Sequence, residues 1–115
     1  MNEQFEALVT ANKYILKLQN GIKEAIKFFQ GGNDGDALKI TSEILEGLAW
    51  VIDIVSLTQN VQKNKVNAYE FCGELKEMEI ALQNEDYILV SDILQYEILP
   101  VLEVWGKEID KSVAI

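Results

Sequence analysis

Neither histidine nor arginine occurs among the 115 residues, and the chain has a single cysteine and a single proline. Each absence removes a kind of chemistry. Without an imidazole there is no histidine general base, no Ser-His or Cys-His nucleophile pair and no Glu-x-x-His di-iron site. Without a guanidinium there is no bidentate fork for a carboxylate or phosphate, so an anion must be met by one of ten lysines or by backbone amides. The lone Cys72 has no intrachain partner, which suits a reducing cytoplasm. With no histidine to activate it, it reads as a small buried apolar residue rather than a nucleophile. No run of about eighteen apolar residues occurs, and no amino-terminal segment joins a basic stretch to an apolar one. The expectation is therefore a cytoplasmic protein, neither secreted nor membrane-spanning. Nineteen carboxylates outweigh the ten lysines, for a net charge of -9 and a pI near 4.4. Such a field repels nucleic acids and anionic membrane surfaces. No nucleic-acid, membrane, metal or cofactor partner is expected.

What is present suits one folded domain over residues 1–115. Hydrophobic residues make up 49% of the chain and charged ones 25%, enough of each for a real core and a solvated surface. Leu8, Ile15, Ile22 and Phe29 recur every seventh position, with Ala11, Leu18 and Ala25 between them, the pattern of one amphipathic helix over residues 2–30. Gly31, Gly32, Asn33, Asp34 and Gly35 then make a turn, with Asp34 or Asp36 available to cap the next helix. A second helix is predicted from Asp36 to Thr58, burying Ala37, Ile44, Leu48, Val51 and Val55. A third runs from Val61 to Gln83 on the spacing of Val61, Ala68, Leu75 and Leu82, either separate from the second or continuous with it through a bend. After the turn Asn84-Glu85-Asp86 a fourth begins, interrupted at Pro100 by a kink near 97–99 or by a stop and restart, with fraying beyond Lys111. The fold expected is an antiparallel four-helix bundle with short connections. A calcium loop at Gly31–Asp36 fails on ligand positions, and a P-loop on the missing lysine and hydroxyl.

Thr41-Ser42-Glu43-Ile44-Leu45-Glu46 resembles Val90-Ser91-Asp92-Ile93-Leu94-Gln95. Each follows a polar turn preceded by an apolar-Gln pair, Phe29-Gln30 or Leu82-Gln83. This pattern suits a duplicated helical hairpin. Charge is distributed unevenly over the elements. It is plus one over residues 1–30, minus four over 31–58, minus one over 59–84 and minus five over 85–115, so acidity belongs to the second and fourth helices.

Six residues stand out as interaction candidates: Trp50, Leu57, Tyr87, Asp92, Tyr96 and Glu97. Trp50 and Leu57 lie on the polar side of the second helix among Lys39, Glu43, Glu46 and Asp53. There an aromatic either anchors a partner or covers the bundle edge. On a regular fourth helix, Glu97 falls inside the apolar face between Val90, Ile93, Val101 and Val104. A carboxylate there must find donors, protonate, or escape to water where Pro100 bends the chain. Ile88, Leu99 and Leu102 would then occupy nearly the opposite side, and Phe5, Val9 and Leu16 form a second stripe on the first helix. A homodimer is the simplest cover for both stripes.

Glu43-x-x-Glu46 and Glu74-x-x-Glu77 each place two carboxylates on one helix face. Such pairs from two helices could hold a magnesium ion, an arrangement that resembles the all-helical MazG-type nucleotide pyrophosphatases. There the second pair ends in aspartate, whereas here it ends in Glu77. The segment from Asp86 to Pro100, with Glu46-Gly47-Leu48-Ala49-Trp50 before it, resembles an uncharacterised all-helical family of low-GC Gram-positive bacteria. That resemblance implies a small helical bacterial protein and draws attention to Tyr87, Asp92, Tyr96, Glu97 and Pro100, but implies no substrate. The favoured functional expectation is a non-enzymatic protein-binding module, an adaptor or chaperone-like bundle that takes amphipathic segments of a partner. The alternatives are the metal-dependent hydrolase and a purely structural dimer.

Overall fold

The computed structural model describes residues 2–114. The heptad-like spacing of the first thirty residues forms α1, Glu3–Gln30, whose start is capped by Asn2 accepting a 2.7 Å hydrogen bond from the Gln4 amide. Leu8, Ala11, Ile15, Leu18, Ile22 and Ala25 are buried along one line. The helix ends in a Schellman turn. Gly32 adopts φ +76°, its amide bonds Phe29 O, and the Asn33 amide reaches back to Phe28 O at 2.8 Å. Helix α2, Asp34–Leu57, starts two residues earlier than expected. Neither Asp34 nor Asp36 caps it: Asn33 holds the cap position, and its side-chain amide bonds Asp36 instead.

Along their length α1 and α2 pack against each other, and Gly47 allows the close approach. A Cβ at this position would lie 2.6 Å from Tyr14 Oη and 2.9 Å from Leu18 Cδ2. Trp50 then rests edge-on against Tyr14, with ring centroids 5.5 Å apart.

The third helix is shorter than its apolar spacing predicts. After α2 come a 3₁₀ turn, Gln59–Val61, and an irregular stretch over 62–71, so α3 spans only Cys72–Gln83. Two glutamines account for the break by taking over hydrogen bonds that a continuing helix would make. Gln62 Nε2 donates to Val55 O and Thr58 Oγ1, its Oε1 accepts from the Val66 amide, and Gln59 Nε2 donates to Val55 O and Val66 O. Carbonyl groups at the end of α2 are thereby satisfied by side chains. The Asn67 side chain accepts from the Tyr69 amide, a local turn that competes with helix. Phe71 enters the core against Trp105 at 4.8 Å, and Cys72, expected to be buried, is exposed at the start of α3.

A fourth helical rod consists of α4, Tyr87–Ile93, a π-turn, Leu94–Ile98, and α5, Leu99–Val113. The turn before it, Asn84-Glu85-Asp86, repeats the Schellman geometry, with Glu85 at φ +53° in the place of Gly32. Asp86 caps α4 by accepting from the Leu89 amide. In the π-turn the Leu99 amide bonds Leu94 O, five residues back, and this extra residue rotates everything beyond it. The core line therefore runs Val90, Leu94, Ile98, Leu102, Trp105, Ile109. Glu97, which a regular helix would put among these residues, is exposed. Pro100 falls in the first turn of α5, directly after the π-turn, a position that tolerates proline better than a regular helix interior does. Rather than fraying after Lys111, the helix continues to Val113, and the buried Ser112 hydroxyl accepts from the Lys63 amide at 2.8 Å.

The assembled domain is an all-α, four-helix, up-down bundle, 46 × 22 × 19 Å, with no strand among the described residues. Helix α1 lies against α2, α4 and α5, and α3 packs on α4. The two hairpins share a buried register. At a spacing of 53 residues, and 54 beyond the π-turn, Ala37, Thr41, Ile44, Leu48, Val51, Val55 and Thr58 correspond to Val90, Leu94, Ile98, Leu102, Trp105, Ile109 and Ser112, all buried. This register differs from the match of 41–46 to 90–95, a spacing of 49, which pairs buried Thr41 and Ile44 with Val90 and Ile93 but sets Leu48 and Val51 against exposed Glu97 and Pro100.

Candidate functional site

Both Schellman turns lie at the same end of the bundle, and a cleft of about 580 Å³ opens between them. One wall is the end of α1 and the following turn, with Phe29, Gln30, Gly32 and Asp34. The other comprises Glu85, Asp86, Tyr87, Ile88, Ser91 and Asp92 from the second turn and α4, continued by Gln95 and Tyr96 from the π-turn. Half-buried Phe29 and Tyr87 stack across the floor, 6.1 Å between centroids with planes 28° apart. At the rim, Ile88 is 80% and Tyr96 68% exposed, two large apolar side chains brought together beside the stacked rings. Four carboxylates, Asp34, Glu85, Asp86 and Asp92, border the cleft, and no lysine does. Among the described residues the ion pair is Lys111 with Glu108, on another part of the molecule, so none of these acids is paired with a lysine.

Three of the six candidate residues, Tyr87, Asp92 and Tyr96, thus meet in one cleft. The other three do not join them. Trp50 is 40% exposed beside Tyr14, Glu43, Glu46 and Gly47, covering the α1–α2 edge. Leu57 is exposed at the last residue of α2, about 35 Å along that helix from the cleft end. Glu97 follows Tyr96 in sequence but faces α3. Partial desolvation there, with the charges of Glu77 and then Glu74, holds its carboxyl above the ordinary range. By contrast, Glu108 lies below the ordinary range, through hydrogen bonds from Asn64 and then Lys111.

The apolar stripes invoked for a dimer are smaller than the sequence suggests. The π-turn carries Leu99 and Leu102 into the core, leaving Ile88 exposed, and Phe5 and Val9 are half-buried, leaving Leu16. Nor do the paired carboxylates converge. Glu43 and Glu46 border Tyr14 and Trp50, whereas Glu74 and Glu77 face Glu97, and α2 does not pack along α3. Among the described residues no group of three acids or cysteines is placed to hold a metal ion.

Sequence reasoning missed Phe29, Gln30, Asp34 and Gln95 as neighbours of Tyr87 and Tyr96. The available signal was the pair of similar polar turns, each preceded by an apolar-Gln pair, which sit side by side in the folded chain.

Fold and cleft together define a helical-bundle domain with an acidic, aromatic-lined cleft at its turn end. The chain belongs to a family described as a domain of unknown function (DUF8042), whose model matches residues 6–108. No curated protein and no solved structure matches it. No helix among the described residues is long and apolar enough to cross a membrane.

Proposed function

We propose that the protein is a non-enzymatic interaction module, an adaptor or chaperone-like bundle that uses the cleft between its two turns to hold a segment of another protein. The observation that carries this reading is the concentration of large apolar side chains at one end of the fourth rod. Ile88 and Tyr96 stand exposed beside the Phe29–Tyr87 stack, although the same rod buries every residue of its core line from Val90 to Ile109. Exposed aromatic and aliphatic residues around a partly desolvated centre are the usual makings of a binding hot spot. The π-turn adds support, because such turns recur at functional sites and this one supplies Gln95 and Tyr96 to the rim. The same reading places the chain in the cytoplasm of a low-GC Gram-positive bacterium. A sequence without arginine and with one exposed, unpaired cysteine suits an AT-rich genome and a reducing compartment.

A photoreactive phenylalanine analogue in place of Tyr96 tests the reading in cells, with Lys23 on the exposed face of α1 as the control position. The expected result is a discrete adduct with another protein from position 96 and none from position 23. An adduct between two copies of this chain would replace the module with the structural dimer. The absence of any adduct at position 96 would remove the proposal altogether.

A further inference from the structure

We infer that the segment held in this cleft is cationic and amphipathic: a lysine or arginine, flanked by large apolar residues, from another polypeptide. This rests on the reading of the cleft as a protein-binding surface. Charge is the first support. Asp34, Glu85, Asp86 and Asp92 border the cleft without a lysine among them, and Asp92 and Glu85 make no side-chain hydrogen bond among the described residues. An acidic or neutral occupant would leave these charges repelling it or uncompensated, whereas a cation is attracted by all four.

The aromatic floor is the second support. Tyr87, Phe29 and Tyr96 line the cleft, and a cation held over an aromatic face not taken up by the Phe29–Tyr87 stack gains further attraction when water is displaced. Ile88 and Tyr96 project at the rim, so an occupant must cover a protruding surface as well as fill the cleft. A side chain attached to an apolar segment does both. A free polyamine would fill the cleft but leave Ile88 and Tyr96 in water.

Backbone geometry points to the same place. Glu85 occupies a left-handed conformation at φ +53° that its counterpart turn assigns to Gly32. A residue with a side chain is strained there, and here the side chain is a carboxylate on the cleft wall.

The test uses the full chain, labelled for NMR, and three synthetic eighteen-residue amphipathic helices. They share one leucine face and carry lysine, glutamine or glutamate on the other. The lysine peptide should shift the amides of Gln30, Asp34, Ile88, Asp92 and Tyr96 and bind at least about tenfold more tightly than the glutamine peptide, with no binding by the glutamate peptide. Tyr96→Ala should weaken it by about tenfold. The double substitution Asp92→Asn with Glu85→Gln should weaken it several-fold. Glu24→Gln with Glu103→Gln, which removes as much charge elsewhere, should leave it unchanged.

Equal losses from the two charge pairs would show attraction to the whole acidic protein and overturn the assignment. So would spermine displacing the peptide while shifting the same amides and saturating the site as tightly. A heterologous adduct at position 96, combined with no preference for the lysine peptide, would sink the cationic partner while leaving the interaction module standing.

Discussion

In the first hairpin Gly31 and Gly32 make the reversal, and two long helices lie side by side across Gly47. In the second, Asn84 and Glu85 make the same reversal with the same hydrogen bonds, but the first arm is a twelve-residue helix behind an irregular stretch, and the second arm carries one extra residue. Both nevertheless bury equivalent positions. Register within this bundle is thus a property of the apolar line and not of helical regularity: the chain tolerates a turn of the wrong width because it keeps Ile98, Leu102 and Trp105 inward. The irregular hairpin also supplies most of the cleft, whereas the regular one contributes Phe29, Gln30, Gly32 and Asp34 at its tip.

Deleting Glu97 puts the greatest strain on this comparison. If the π-turn is one residue inserted into a register otherwise like that of α2, the deletion makes the rod a continuous α-helix with its core line intact. Pro100 then moves into a helix interior, at a cost of about 3 kcal/mol. Chemical denaturation should show that loss, and adding Pro100→Ala should restore most of it. A loss that Pro100→Ala does not repair would mean that the extra residue is not a simple insertion.

The two turns offer a smaller effect. Glu85→Gly gives the second turn the residue that the first already has, and it should stabilise the fold by about 1 kcal/mol. The same change should weaken binding of the lysine peptide, so that stability and binding move in opposite directions. A destabilised Glu85→Gly protein would show that the left-handed turn is not strained.

Smallest is the effect of Glu97→Gln, which tests what the rotation beyond the π-turn does to a single carboxylate. Glu97 is held above its ordinary pKa, so ionising it opposes folding. Relative to the variant, the parent keeps its full stability below the unfolded-state value. It loses ground as pH rises above that value and through the higher folded-state one. Thermal melts of the two proteins should coincide at pH 3.5 and separate slightly, with Glu97→Gln the more stable, at pH 7. Exposure and solvent screening keep the difference small. The opposite order at pH 7 would refute a raised value.

Four helices, their order and most of α1 and α2 were legible in the sequence because apolar periodicity there is continuous from one turn to the next. The third helix misled because Val61, Ala68 and Leu75 keep the spacing, while the hydrogen bonds that decide against helix belong to Gln59 and Gln62, whose role depends on where Val55 and Val66 fold. Glu97 stayed open for a related reason: Pro100 signalled an irregularity that could release it to water, but whether a proline brings a kink or a wider turn depends on which phase the core then accepts. Tyr87, Asp92 and Tyr96 could be singled out on one helix. That they face Phe29 and Asp34, more than fifty residues away in sequence, depends on the two turns meeting.

The glutamine-closed junction after α2 bears on how the molecule moves. A connection of ten irregular residues would ordinarily let two hairpins swing apart, but here Gln59 and Gln62 stitch the end of α2 to Val66, while Ser112 and Glu108 of α5 hold Lys63 and Asn64. The junction works as a clasp at the end opposite the cleft. With that end fastened, any change in the separation of the two turns has to part Phe29 from Tyr87, so the aromatic stack acts as the latch of the other end.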